Sequence, residues 1–253
     1  MARAGKAKRT AAGGYLERTH RPLNCLVFIL PLLVAYEVAS LVYPDRLLAP
    51  QHLEAILGLF GARGRFLPAL LIVLVLLIWH VAAKETWHVD GDAVGGMAAE
   101  SLLWWLPLLA MNLLTVRLMG PAPPAETMAS ALAAGGDADV ALAAMILRGI
   151  GSGIYEEFVF RLGAISLILF VTVDVLRGPK KYMAPVAVVV ASVAFGLYHY
   201  WGGQASNFDW HMFMFRIVAA AYLSVVYIAR GFGVAVGAHA CFNVALVLLT
   251  PGG

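Results

Sequence analysis

Three short polar patterns carry the chemistry of this sequence: Glu156-Glu157 with Arg161, Phe195 with His199, and His239 with Asn243. In each, the paired residues stand four apart, which on a helix puts both side chains on one face. Glu157 precedes Arg161, the favourable order for an ion pair along a helix. Glu156 is rotated by about 100° from that pair and has no partner close in sequence. Its own face carries Gly149, Gly153 and Gly163. Two uses are open to such a carboxylate. It can act on water or substrate in open volume beside the glycines, or it can hydrogen-bond into a polar bundle interior while the glycines let helices approach.

Taken together, the patterns hold the parts of a hydrolase. Glu156 can serve as a general base towards water, and one imidazole, of His199 or His239, can share that water or pass the proton to a leaving amine. The other imidazole and the Asn243 amide can donate to an oxyanion as it forms. Glu157, Arg161 and Phe195 read as support for the site. Serine and cysteine nucleophiles fit poorly: Ser152 and Ser192 lack a strand–turn setting, and Cys241 is rotated away from His239. No His-Glu-x-x-His pattern is present. The expectation is therefore a reaction without a cofactor, with zinc held by Glu156, His199 and His239 as the second choice. The same groups could instead line a proton or solute path in a non-enzymatic component, such as a transporter-like, assembly or immunity protein.

The elements that must position these residues lie in lipid. Of the 253 residues 13% are charged and 61% hydrophobic, and the mean hydropathy is +0.81. That composition supplies too little polar surface for a soluble bundle. A bilayer crossing takes about 20 apolar residues, and the candidates are Leu23–Tyr43, Phe66–Ala83, Ala99–Leu118, Ala141–Leu176, Tyr182–Tyr200, Met212–Ile228 and Phe232–Leu249. The expected fold class is an all-α polytopic membrane protein, about seven transmembrane helices (six to eight) enclosing a polar catalytic cavity. Residues 1–21 read as a basic cytoplasmic tail and 22–253 as a single transmembrane domain with its catalytic core at 141–249. The first span lacks a cleavage pattern and reads as a helix rather than a removable signal. Cys25 and Cys241 lie in apolar segments and read as packing residues.

Arg3, Lys6, Lys8, Arg9, Arg18 and Arg21 place the N-terminus in the cytoplasm of a multi-pass cell-membrane protein. Glu126, Asp137 and Asp139 suit the outer side, and Arg177, Lys180, Lys181 and Arg230 the inner. No nucleic-acid site is supported. The partners expected are the lipid bilayer and a membrane-anchored protein or peptide substrate. Gly120–Asp139 reads as an external loop, and the polar stretches Trp87–Gly96 and Gly202–Trp210 as connections. Trp104, Trp105, Trp201, Trp210, Tyr182, Tyr198 and Tyr200 are expected near span ends.

Ala141–Leu176 would run about 54 Å as one straight helix, longer than a hydrocarbon core of about 30 Å. One long or broken crossing is expected, bent at Gly149, Gly151, Gly153 or Gly163. Depth poses a problem. Glu156 lies about 30 Å before Leu176 and His199 about 26 Å after Tyr182, so they meet; His239 lies only about 10 Å after Phe232. To bring His239 level, Ala229–Gly233 should enter as irregular backbone, or the sixth span should be short and steeply tilted.

Glu156-Glu157-x-x-x-Arg161, Phe195-x-x-x-His199 and His239-x-x-x-Asn243, in this order and each in a span, resemble the CPBP family of intramembrane glutamic-type proteases, also called the type II CAAX prenyl protease or Abi family. The resemblance covers Ala141 to the C-terminus. It implies an all-helical bundle around a water-accessible cavity, with Glu156 and His199 on the water and His239 and Asn243 at the oxyanion. It also implies support from Glu157 and Arg161. Relatives commonly carry a glycine directly after the arginine; here Leu162 intervenes before Gly163, which bears on substrate fit. The resemblance leaves the substrate, and whether it is prenylated, open.

Overall fold

The computed structural model describes residues 14–42, 47–120, 138–200 and 208–249, and their regular structure is all helical. Helices α1 (Tyr15–Thr19), α2 (Pro22–Val42), α3 (Leu48–Leu59) and α4 (Leu67–Ala82) are followed by α5 (Gly91–Trp104) and α6 (Leu106–Met119). After residues that lie outside the described set come α7 (Ala138–Glu157), α8 (Lys180–Tyr198), α9 (Trp210–Arg230) and α10 (Phe232–Leu249). Among the described residues six apolar helical segments are long enough to cross a membrane, and a further apolar helix, α4, has 16 residues. At 1.5 Å per residue α4 spans about 24 Å, short of a full hydrocarbon core. The multi-pass expectation is borne out.

Two elements depart from the sequence reading. The third crossing begins at Gly91, well before Ala99, because Asp90 caps it: its Oδ1 accepts from the Ala93 amide at 3.1 Å. Pro107, with no N–H, then breaks the helix at Trp105. Trp104 and Trp105 therefore sit within the 28-residue segment and not at its end. The Tyr222 hydroxyl donates to the Trp104 carbonyl at 2.8 Å and satisfies backbone at the break. The second departure is α3, which has no counterpart among the expected spans and packs on α4 and α7. Among the aromatic residues expected near span ends, Tyr182, Tyr198 and Trp210 do lie in terminal turns, whereas Trp201 falls outside the described residues.

The long segment is one continuous, broken helix. After α7 the backbone widens into a π-helical turn over Phe158–Ile165, recovers α geometry over Ser166–Leu169, and widens again over Phe170–Val175. Of the four glycines expected to bend it, only Gly163 lies inside an irregular stretch. A π-helix closes i to i+5 bonds, so it rises less per residue than an α-helix. The 30 Å assigned to Glu156–Leu176 is thereby shortened.

His239 nonetheless stands level with Glu156, its Nε2 3.8 Å from Oε2, by neither of the routes that the sequence suggested. Residues Ala229 and Arg230 are helical, α9 is 21 residues long, and the turn into α10 is a single residue, Gly231. The expected irregular Ala229–Gly233 and the expected short sixth span are both absent. Gly231 has φ +94°, a left-handed conformation suited to glycine, and a Cβ there would meet the Thr19 carbonyl oxygen at 2.7 Å. Arg230 beside it forms a two-pronged ion pair with Glu100 of α5, with Nε to Oε2 at 2.7 Å. The turn is thus locked against α1 and α5.

Helix α10 is the centre of the bundle, with Phe232–Ala240 buried on all sides. Its largest interface is with α7. The two run antiparallel: Gly149 faces Asn243, Gly153 faces Ala240, and Glu157 meets His239. A Cβ on Gly153 would sit 2.8 Å from the Ala240 amide nitrogen, a backbone atom that cannot turn aside. Gly153→Ala gains up to ~1 kcal/mol of helix propensity, against roughly 1–3 kcal/mol for overpacking. The expected result is a lower thermal midpoint in detergent. Gly95→Ala, where a Cβ meets nothing within 4 Å, should leave the midpoint unchanged or raise it.

Candidate functional site

The three sequence patterns converge. Glu156 and Glu157 close α7, Phe195 lies in the last turn of α8, His199 caps that helix, and His239 and Asn243 lie on the middle of α10. They border a recess of about 250 Å³ that Glu156, Phe195, His199, His239 and Asn243 all line. Glu156 and His239 approach each other at one polar corner of it. Leu108, Phe215, Leu223, Phe242 and Leu246 make much of the remaining wall apolar. Its wall is part polar and part apolar, and no enclosed polar chamber is seen among the described residues.

Glu157 and Arg161 form the expected ion pair, with Nη1 to Oε1 at 3.1 Å and both side chains fully buried. The π-helical turn begins between them, at Phe158. The Arg161 guanidinium lies over the Phe195 ring at 4.8 Å and donates to the Ala220 carbonyl at 3.2 Å. Glu157 also accepts from His239: Nδ1 to Oε1 is 2.8 Å. One buried carboxylate therefore fixes both an arginine and the imidazole. This orients His239 so that its Nε2 lies 3.8 Å from Glu156 Oε2.

Glu156 is only partly buried and faces the recess. It does have a local partner, contrary to the sequence reading. Ser152, one turn earlier, donates its hydroxyl to Oε1 at 2.6 Å. The spacing of four between Ser152 and Glu156 was available in the sequence. Ser152 had been weighed only as a nucleophile. The glycines beside Glu156 do not supply its open space either: Gly149 and Gly153 are filled by α10. Gly163 is exposed and does not line the recess, so the Leu162–Gly163 departure does not shape it.

His199 presents its Nδ1 to the Phe195 carbonyl at 2.9 Å. A carbonyl only accepts, so Nδ1 carries the hydrogen and Nε2 is left for the recess. Phe195 is the hub of the corner, in edge contact with Phe160 (5.2 Å), His199 (4.7 Å) and His239 (6.3 Å). Asn243 spends one amide hydrogen on the Gly149 carbonyl at 3.1 Å, and its second remains for another acceptor.

Sequence reasoning missed two further contributors. Arg216 of α9 lines the recess. Tyr198 packs on Phe160 and is held by His52 of α3, with Nδ1 to hydroxyl at 2.6 Å. No motif marks either one. The one available hint was the ionisable character of Arg216 inside an apolar span.

As a zinc set, Glu156, His199 and His239 do not fit. Among the described residues no group of three or more His, Cys, Asp or Glu side chains converges as metal ligands would. Cys25 and Cys241 are free, Cys25 buried against α10.

Residues 138–245 match the family model described as Rce1-like, Type II CAAX prenyl endopeptidase Rce1-like. The match covers less than half of the chain, begins with α7 and ends two residues past Asn243, so it holds all three polar patterns. The family read from the motifs is the family found. No curated protein and no solved structure matches the chain.

Proposed function

We propose that this membrane-embedded member of a protease family is an endopeptidase that hydrolyses a peptide bond of a membrane-associated substrate. The observation that carries the reading is the approach of Glu156 Oε2 to His239 Nε2, 3.8 Å, in a recess that His199 and Asn243 also line. Ser152 occupies Oε1 of Glu156 and leaves Oε2 for a water. Glu156 takes that water's proton as hydroxide adds to the carbonyl carbon, His199 Nε2 helps to hold the water, and the proton on Glu156 passes, directly or by way of His199 Nε2, to the leaving amine as the C–N bond breaks. The developing oxyanion is met by the free Asn243 amide hydrogen and by His239. Since His239 Nδ1 donates to Glu157, its Nε2 can donate only from the doubly protonated ring. Glu157 is the acid that offsets that charge. Substrate reaches the corner from the apolar part of the recess, which suits a segment delivered from the bilayer.

The test is cleavage by the purified protein in nanodiscs of a membrane-protein fraction, read as new termini by mass spectrometry. New termini that appear with the intact protein and not with the Glu156→Gln variant support the reading. Their absence across broad substrate pools would favour the non-enzymatic alternatives. Metal is tested in the same assay. With water activated by Glu156 and His199 alone, a chelator should leave the rate within about twofold, whereas a zinc site with ligands at about 2.0–2.2 Å would lose activity and recover it with Zn²⁺.

A further inference from the structure

Arg216 is the single lysine or arginine that lines the recess. Its Nη1 is buried and has no hydrogen-bond partner among the described residues. The guanidinium is held from one side, stacked over the Tyr200 ring at 5.2 Å, and Tyr200 is itself tied to the Asp209 carbonyl at 2.9 Å. The one carboxylate lining the recess, Glu156, takes its hydrogen bond from Ser152 and not from Arg216. A buried cationic donor left unmet is costly, and a guanidinium is a planar fork suited to a carboxylate. Arg216 is close enough to His199 to act on it electrostatically, so an anion on the arginine would lie near the polar corner.

We propose that Arg216 binds a carboxylate of the peptide substrate, on the chain terminus or on an acidic side chain, and so selects which bond reaches Glu156. It is a binding residue, not a member of the proton-transfer set. A terminal carboxylate would place the scissile bond a few residues from the chain end, because the recess of about 250 Å³ holds only a short extended stretch. A side-chain carboxylate would carry no such constraint. The inference rests on the hydrolase reading for the identity of its ligand, but its test needs no turnover.

The experiment measures binding of fluorescent apolar hexapeptides to the Glu156→Gln variant in nanodiscs of phosphatidylcholine alone. Three probes are compared: a free C-terminal acid, the matching C-terminal amide, and the amide with one internal glutamate. A charge-assisted contact to the buried Nη1 should favour at least one carboxylate probe over the plain amide by roughly tenfold or more. The probe preferred identifies the source. Adding Arg216→Gln should erase the preference, and Arg216→Lys, which keeps the charge without the fork, should retain part of it. Thermal midpoints of both variants exclude unfolding as the cause. Equal binding of all three probes, no binding of any, or a preference that survives Arg216→Gln would overturn the proposal. So would loss of the preference on adding phosphatidylglycerol, which would assign the arginine to a lipid phosphate. Cleavage by the intact protein in the earlier assay judges the hydrolase reading separately. An arginine acting on the reacting carbonyl would differ again, lowering turnover equally for acid and amide substrates.

Discussion

Glu156→Gln is expected to lower the rate of peptide cleavage by about 10²–10⁴-fold, the usual contribution of a general base, while leaving the thermal midpoint in detergent unchanged or slightly raised. Glutamine keeps the shape and still accepts the Ser152 hydroxyl through its amide oxygen, so the local hydrogen bond of 2.6 Å has a successor. What it removes is the ability to take a proton. Glu156 faces the recess and makes no ion pair with Arg161; its approach to His239 is long, 3.8 Å, and Glu157 holds that imidazole independently at 2.8 Å. The neighbouring substitution provides the contrast. Glu157→Gln strips the shared negative charge from Arg161 and His239 together, in a fully buried position, and sets an amide NH₂ beside two donors. Its main effect should fall on folding, with the loss of activity following from a misplaced His239. Adjacent glutamates would then separate into one that costs turnover and one that costs stability. The assignment fails if Glu156→Gln keeps turnover, or if it unfolds the protein as readily as Glu157→Gln does.

The sequence made this division legible because a helix turns by about 100° per residue, so adjacent glutamates cannot share one partner. The pairing of Glu157 with Arg161 followed from spacing alone, whereas the convergence of the three patterns was carried by the family resemblance, since counting along the spans left His239 short of the other two. What stayed hidden depends on tertiary contact. Whether a glycine makes space or is filled by a neighbour cannot be read from one strand of sequence, and α10 fills Gly149 and Gly153. The π-helical turns at Phe158 and Phe170 have no composition signature, and the level at which α10 packs on α7, with His239 against Glu157, is set by tertiary contact. Helix α3 was passed over because Gln51, His52 and Glu54 interrupt its apolar run. Its contribution, the His52 contact to Tyr198, crosses 146 residues of chain and leaves no local trace.

The largest stability effect should come from Arg161. Its guanidinium is fully buried between the Glu157 carboxylate, the Phe195 ring and the Ala220 carbonyl. Arg161→Met keeps much of the length and apolar volume but leaves Glu157 as a buried charge. Removing one partner of a buried pair costs about 3–5 kcal/mol, more than replacing the pair by apolar groups. His239 remains as a donor to Glu157 at 2.8 Å and will offset part of this loss, so the lower end of the range is expected. The double variant Glu157→Gln/Arg161→Met removes both charges, and should recover more than half of the loss while remaining inactive, because His239 is no longer oriented. Unfolding midpoints in mixed detergent give the three free energies, and the cycle isolates the coupling between the two residues. An Arg161→Met protein as stable as the parent would mean that the pair holds nothing together. A double variant less stable than Arg161→Met would mean that Glu157 is held chiefly by His239 and the helix, with Arg161 incidental.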